Sequence, residues 1–185
     1  MRRLAIHTAL MLVVAAVFPP AGPGAFGQQA ESETRRGCAG QDGFHAFDFW
    51  LGTWDVTSWQ DNKPQGRNHI RALEDHCLIM EQWQGKGGSS GRSINYYNPV
   101  SDQWRQVWIS AQAYAIDITG GWRDGAMRLT GSIWYYTSGR QRPFRGIWTP
   151  QADGSVRQRF EQKADDGGDW QVWFDGRYTP AKAAE

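Results

Sequence analysis

Glu81 is the carboxylate of this chain best placed for acid–base chemistry. It lies in the run Leu78-Ile79-Met80-Glu81-Gln82-Trp83, where apolar neighbours on a strand would strip it of water. Desolvation disfavours the charged form and lifts a carboxyl pKa toward neutrality, the range useful to a general acid or base. A buried carboxylate needs a partner, and Arg92 on the next strand or Arg145 further along are the candidate cations. The competing reading is a structural ion pair or an outward Glu81, with no catalysis. Trp104-x-Gln106-x-Trp108 and Asn95-x-Tyr97 repeat with the period of two that places side chains on one face of a strand. Two tryptophans flanking a glutamine suit a mixed wall of rings and amides. The candidate ligand-binding set is therefore Glu81, Trp83, Asn95, Tyr97, Trp104, Gln106, Trp108 and Arg145, with Glu81 as the candidate catalytic residue.

Cys38 and Cys77 form an even pair, and a bridge between them would tie the N-terminal arm to the third strand. His76 beside Cys77 suggests a thiol nucleophile with its base, but adjacent strand residues point to opposite faces. Two thiols cannot complete a structural zinc site, and His45, His69 and His76 lack the short Cys/His spacings such sites use. No metal and no cofactor is expected. The chain has no Gly-x-Ser-x-Gly run between a strand and a helix, no phosphate-cradling loop and no paired His motif. Gly85-Lys86-Gly87-Gly88-Ser89-Ser90-Gly91 links two strands without a helix start for phosphate, and reads as a flap at a barrel mouth. Asp166-Gly167-Gly168-Asp169-Trp170 approaches the Asp-box of sialidase propellers but occurs once and a residue short, so it reads as a hairpin turn.

The elements that must position these residues are short strands. Thr53 to Gln60, Asn68 to Glu74, Cys77 to Gln84, Arg92 to Tyr97, Gln103 to Ser110, Tyr114 to Trp122, Ala126 to Trp134, Pro143 to Thr149, Ser155 to Lys163 and Trp170 to Tyr178 are rich in β-branched and aromatic residues. Gly, Asn, Asp and Pro break them at turns such as Asp124-Gly125 and Ser138-Gly139. Short loops make neighbours antiparallel, and no stretch suits a parallel crossover. The expected fold is all-β: a closed antiparallel up-and-down barrel of about ten strands with a short N-terminal helix. That helix is read over Phe44 to Leu51, from apolar residues at 44, 47, 50 and 51. Alternation predicts Trp170, Val172 and Phe174 inward, with Val156 and Phe160, Met127 and Leu129, and Trp104, Gln106 and Trp108. Pattern alone leaves the phase open on the third to fifth strands, where both faces carry bulky groups; on the fifth, Arg105 on the opposite face is what puts Trp104, Gln106 and Trp108 inward.

Met1-Arg2-Arg3, the apolar run Leu4 to Phe18 and the small residues ending at Ala25-Phe26-Gly27 read as a secretory signal peptide, residues 1–27, with cleavage after Gly27 or nearby at Ala30. Residues 28–43 then read as a polar tether, 44–180 as the barrel domain and 181–185 as a tail. Export to the periplasm or the medium follows, without stable membrane insertion once the signal is removed. Loss of Arg2 and Arg3 leaves 18 basic against 19 acidic residues. A near-neutral chain lacks the basic surplus that displaces counterions from phosphates, so no nucleic-acid partner is expected. Oligomeric state is not legible.

Gly52-Thr53-Trp54, straight after a helical segment with Phe47-Asp48, resembles the Gly-x-Trp opening of lipocalins and the wider calycin superfamily. That resemblance implies a helix closing the barrel's bottom and Trp54 packed beneath the lumen. From about Phe47 to Tyr178 the chain more closely resembles exported bacterial calycin-like domains of unknown function. The likeness rests on Phe47-Asp48-Phe49-Trp50-x-Gly52-x-Trp54, Glu81-x-Trp83, Ser93-x-Asn95-x-Tyr97, Trp104-x-Gln106-x-Trp108, Val156-Arg157-Gln158 and Asp166 to Trp170. The Thr-Asp-Tyr triplet of true lipocalins is missing. Ten-stranded relatives that hold haem use a His near the C-terminal end, whereas the last His here is His76.

Three functions fit these residues. The first is an exported barrel binding a small hydrophobic or aromatic molecule in its lumen. The second is an enzyme of isomerase or cyclase type using Glu81, a fold-level analogy. The third is a structural or interaction module whose eleven tryptophans fill a solid core.

Overall fold

The computed structural model describes residues 37–182, and the expected signal peptide lies outside them. Ten strands follow one another: β1 (Gly52–Ser58), β2 (Pro64–Leu73), β3 (Leu78–Gly85), β4 (Ser90–Asn98), β5 (Gln103–Ser110), β6 (Tyr114–Arg123), β7 (Ala126–Tyr135), β8 (Arg140–Pro150), β9 (Val156–Lys163) and β10 (Trp170–Pro180). Each pairs antiparallel with its neighbour in sequence, and β1 pairs with β10 to close the barrel. Closure removes the unpaired edge that an open meander of aromatic strands would expose to other chains. β2 starts earlier than its composition suggests: Pro64 takes the first strand position, where its missing N–H costs least.

Residues 38–50 form three short 3-10 turns, Cys38–Gly40, Asp42–His45 and Asp48–Trp50, rather than one helix, and they sit next to the barrel rather than at the chain's start. The apolar spacing explains the difference. Phe44, Phe47 and Trp50 recur every three residues, the period of a 3-10 turn, and all three are buried. Phe47 stacks on Trp50 at 4.9 Å and meets Trp104 and Trp148 edge-on at 5.5 and 5.2 Å. Trp54 donates its indole N–H to the Trp50 carbonyl at 3.0 Å. These rings plug one end of the barrel. The Cys38–Cys77 disulfide fastens the plug to the turn between β2 and β3, next to Ala39 N–H donating to the Asp75 carbonyl at 2.9 Å. Such a bridge fits a non-reducing compartment.

Alternation sets most faces as expected. Met127, Leu129, Val156, Phe160, Trp104, Gln106 and Trp108 point inward and are buried. The third and fourth strands resolve with Ile79, Glu81 and Trp83, then Ser93, Asn95 and Tyr97, turned inward. β10 is the exception. A bulge between Val172 and Phe174 inserts an extra residue opposite β9, so the face changes partway along the strand. Phe174 and Trp173 pack against the core. Val172 is 53% exposed, and Trp170 lies under the Arg145 guanidinium, 4.3 Å from its ring centre, on the outer surface. The expectation that both face inward is corrected by that one added residue.

Inward glycines make room for the rings. A Cβ on Gly146 would fall 2.7 Å from both the Phe160 and Trp148 rings, closer than side chains tolerate. Gly146→Ala is expected to cost about 1 to 3 kcal/mol by overpacking, read as a lower urea midpoint. An unchanged midpoint would mean that the rings have room to shift.

Candidate functional site

Above the aromatic plug, alternation on β2 to β5 brings a polar layer into the lumen. Glu81 is 3% exposed and accepts from Asn68 Nδ2 and from Ser93 Oγ, each at 2.6 Å. Asn95 Nδ2 donates to Ser93 Oγ at 2.9 Å and to the Ile79 carbonyl at 3.1 Å, and Gln106 Nε2 donates to Asn95 Oδ1 at 2.9 Å. Register produces this chain of contacts: Ile70 lies opposite Glu81, Glu81 opposite Ser93, and Asn95 opposite Gln106.

Among the described residues, no cation shares the lumen with Glu81. Burial therefore pushes its carboxyl up to about 7, against the opposing pull of the hydrogen bonds from Ser93 and Asn68. Tyr178, also buried, receives the second Asn68 Nδ2 contact at 3.3 Å. Burial, and then the Glu81 charge, raise its phenol well above the ordinary value.

Beside this layer a cavity of about 270 Å³ opens toward the barrel end bearing the β3–β4 hairpin. Glu81, Trp83, Trp108, Tyr114, Ile116, Phe160, Trp173, Phe174 and Tyr178 form its walls, with Gln158 adding an amide and Gly87 and Ser89 of the Gly-rich hairpin at its rim. Gln158 Oε1 is buried without a hydrogen-bond partner. Unpaired buried acceptors are uncommon and call for an explanation. Around the rim Trp173 Nε1 donates to Tyr135 Oη at 3.1 Å, whose O–H donates to Gln162 Oε1 at 2.6 Å.

The candidate residues thus separate into groups. Glu81, Trp83 and Trp108 line the cavity. Asn95 and Gln106 stand behind Glu81 and hold its partner Ser93 rather than facing open space. Trp104 belongs to the plug, and Tyr97 packs edge-on against Phe44 at 5.2 Å with its hydroxyl donating to Asp102. Of the expected walls on β4 and β5, only Trp108 reaches the cavity, while Asn95, Tyr97, Trp104 and Gln106 lie below it. Arg145 is on the outside, because its neighbours Phe144 and Gly146 face in. It pairs with Glu161 at 2.5 Å and does not orient Glu81. Arg92 is likewise exposed, opposite Gln82 in register.

No protein-family model matches the chain, and no curated protein matches it. The closed ten-strand antiparallel barrel itself fits a calycin-like fold.

Sequence reasoning missed Gln158, Tyr114, Trp173 and Tyr178. Gln158 had a signal, since it shares the inward face of Val156 and Phe160. Trp173 had none, because only the bulge turns it toward the core.

Proposed function

We propose that this is an exported, lipocalin-related barrel of the bacterial calycin-like kind that carries a small, largely aromatic molecule in its lumen. The observation that carries the reading is the cavity beside Glu81, walled by rings and holding one unpaired amide oxygen, at the barrel end away from the plug. Its volume falls at the small end of ligand pockets, which run from about 300 to 1,000 Å³, so the fitting occupant has one or two rings. Such a molecule would stack on Trp108 or Phe174 and offer a donor to Gln158 Oε1. A disulfide supports a periplasmic or secreted location. The outer faces support a water-facing barrel: Arg67 with Asp55, Arg105 with Asp117 and Arg157 with Asp175 pair across strands where a lipid-facing band would be apolar.

A neutral fluorescent naphthylamine is a suitable probe. Saturable binding to the wild-type chain is expected, and Ile116→Trp, which fills the cavity, is expected to weaken it by roughly tenfold or more. Equal binding by a folded Ile116→Trp protein would put the probe elsewhere and remove the lumen from the reading.

An acid–base enzyme on the same scaffold is favoured by a different observation, the Glu81 carboxyl at about 7 in reach of a lumenal guest. Glu81→Gln separates the two: an enzyme loses turnover while keeping the probe, and a carrier keeps its behaviour.

A further inference from the structure

At the plugged end, away from the lumen, His45, Asp48 and His76 converge so that one ligand atom from each lies within 4.8 Å of the others. We propose that these three side chains bind a divalent transition-metal ion of the zinc type. Neither histidine has the sequence spacing of a recognised metal motif. The fold supplies what the spacing lacks.

His45 and Asp48 come from successive 3-10 turns and face one another across a single turn. His76 arrives from the β2–β3 turn, where Glu74, Asp75 and His76 all adopt left-handed backbone conformations, with φ of 49°, 51° and 66°. Three consecutive non-glycine residues in that region are costly, and such strain persists only where the surroundings hold it. The adjoining Cys38–Cys77 bridge is one such constraint, and because it consumes both thiols the histidines would bind without sulfur.

The hydrogen bonds are those a metal site uses. His45 Nε2 lies 2.9 Å from the Ala39 carbonyl, which can only accept, so that nitrogen carries the proton. In the neutral ring, Nδ1 then presents a lone pair. It lies at hydrogen-bond distance, 2.7 Å, from Asp48 Oδ2, so an ion that takes this lone pair displaces the proton between the two atoms. Metal-binding histidines characteristically donate their second N–H to a backbone carbonyl in this way, which fixes the tautomer and aims the other nitrogen at the ion.

On the other side His76 Nε2 stands 3.3 Å from Asp48 Oδ1, and both atoms are buried without a hydrogen-bond partner. The two imidazoles are 4.5 Å apart at their centres. A single cation between the three groups takes the place of the His45–Asp48 proton and gives His76 Nε2 and Asp48 Oδ1 the partner they lack. Zinc ligand atoms sit about 2.0 to 2.2 Å from the ion, so tetrahedral neighbours lie about 3.3 to 3.6 Å apart; the two His–Asp48 separations are 2.7 and 3.3 Å and all three ligand atoms lie within 4.8 Å of one another, so modest side-chain shifts close the site. Two imidazoles and a carboxylate suit zinc, copper, nickel or iron rather than calcium or magnesium. The side chains keep between a quarter and somewhat over a third of their surface exposed, which leaves a route for the ion and a position for water.

Calorimetric titration of the tag-free, disulfide-intact chain with zinc chloride tests the proposal, with His69→Gln as a control on the exposed outer face of β2. One zinc per chain is expected in the wild type and in His69→Gln. His76→Gln and Asp48→Asn should each weaken it by roughly tenfold or more, a loss that even the outer partners of metal ligands produce. Near-ultraviolet dichroism verifies folding, and if the strained turn does not tolerate glutamine at 76, His45→Gln is expected to give the same loss. No saturable uptake by the wild type, or equal affinity in a folded His76→Gln or His45→Gln protein, would overturn it.

Discussion

Replacing Cys38 and Cys77 together by serine is expected to lower the free energy of unfolding by about 4 kcal/mol, the largest effect of any change considered for this barrel. The two cysteines are 39 residues apart in sequence. On the chain-entropy account, opening the bridge frees a loop of that length in the unfolded chain. The native state loses as well, because the bridge is the covalent tie between the aromatic plug and the strands it seals. Without it, Phe44, Phe47 and Trp50 keep the plug in place only through ring contacts. Urea denaturation with and without reductant checks the figure, the serine variant falling with the reduced wild type. A loss under about 1 kcal/mol would show that the plug docks unaided and that the unfolded chain is already compact.

Stability should also fall as pH rises from about 4.5 to about 7, and Glu81 should be responsible. Its carboxyl is raised from an ordinary 4.5 to about 7 by burial, so the folded protein holds a proton there that the unfolded chain has released. Stability from this group is complete below the unfolded value and is lost as pH climbs through the folded one, by about 3 kcal/mol in all. Glu81→Gln carries no titrating proton and keeps an acceptor for Asn68. Its stability should therefore lack the Glu81 decline across the same window and exceed that of the wild type at about pH 8. Chemical denaturation at several pH values gives both curves. Parallel curves for the two proteins would place the proton uptake on another group.

The barrel was legible because strand period and turn chemistry agree over most of residues 52–180. Asp124-Gly125 and Asp153-Gly154 mark their hairpins, each with the glycine at positive φ. Glu81 was legible too, as a lone acid on a greasy strand, although its partners were not. The sequence suggested a cation, and the fold supplied Asn68 and Ser93 instead, because cross-strand register is a property of paired strands and no single strand encodes it. Arg145 shows the opposite error: a charge near in composition but outside by alternation, once Phe144 and Trp148 are known to face in. Trp170 and Val172 were misread for a reason no alternation rule contains, since a bulge adds a residue without changing the local pattern. His45, Asp48 and His76 meet only because a plug folded from 3-10 turns is stapled against a left-handed turn.

Carboxyl-carbon NMR of the glutamate-labelled protein, titrated with acid in the absence and presence of the naphthylamine probe, goes to the heart of the proposal that a small guest shares the lumen with a protonatable Glu81. One signal, missing from Glu81→Gln, should titrate near 7 and move when the probe binds. If every glutamate carboxyl titrates in the ordinary acidic range, or the Glu81 signal is indifferent to a bound probe, the lumen is not the site.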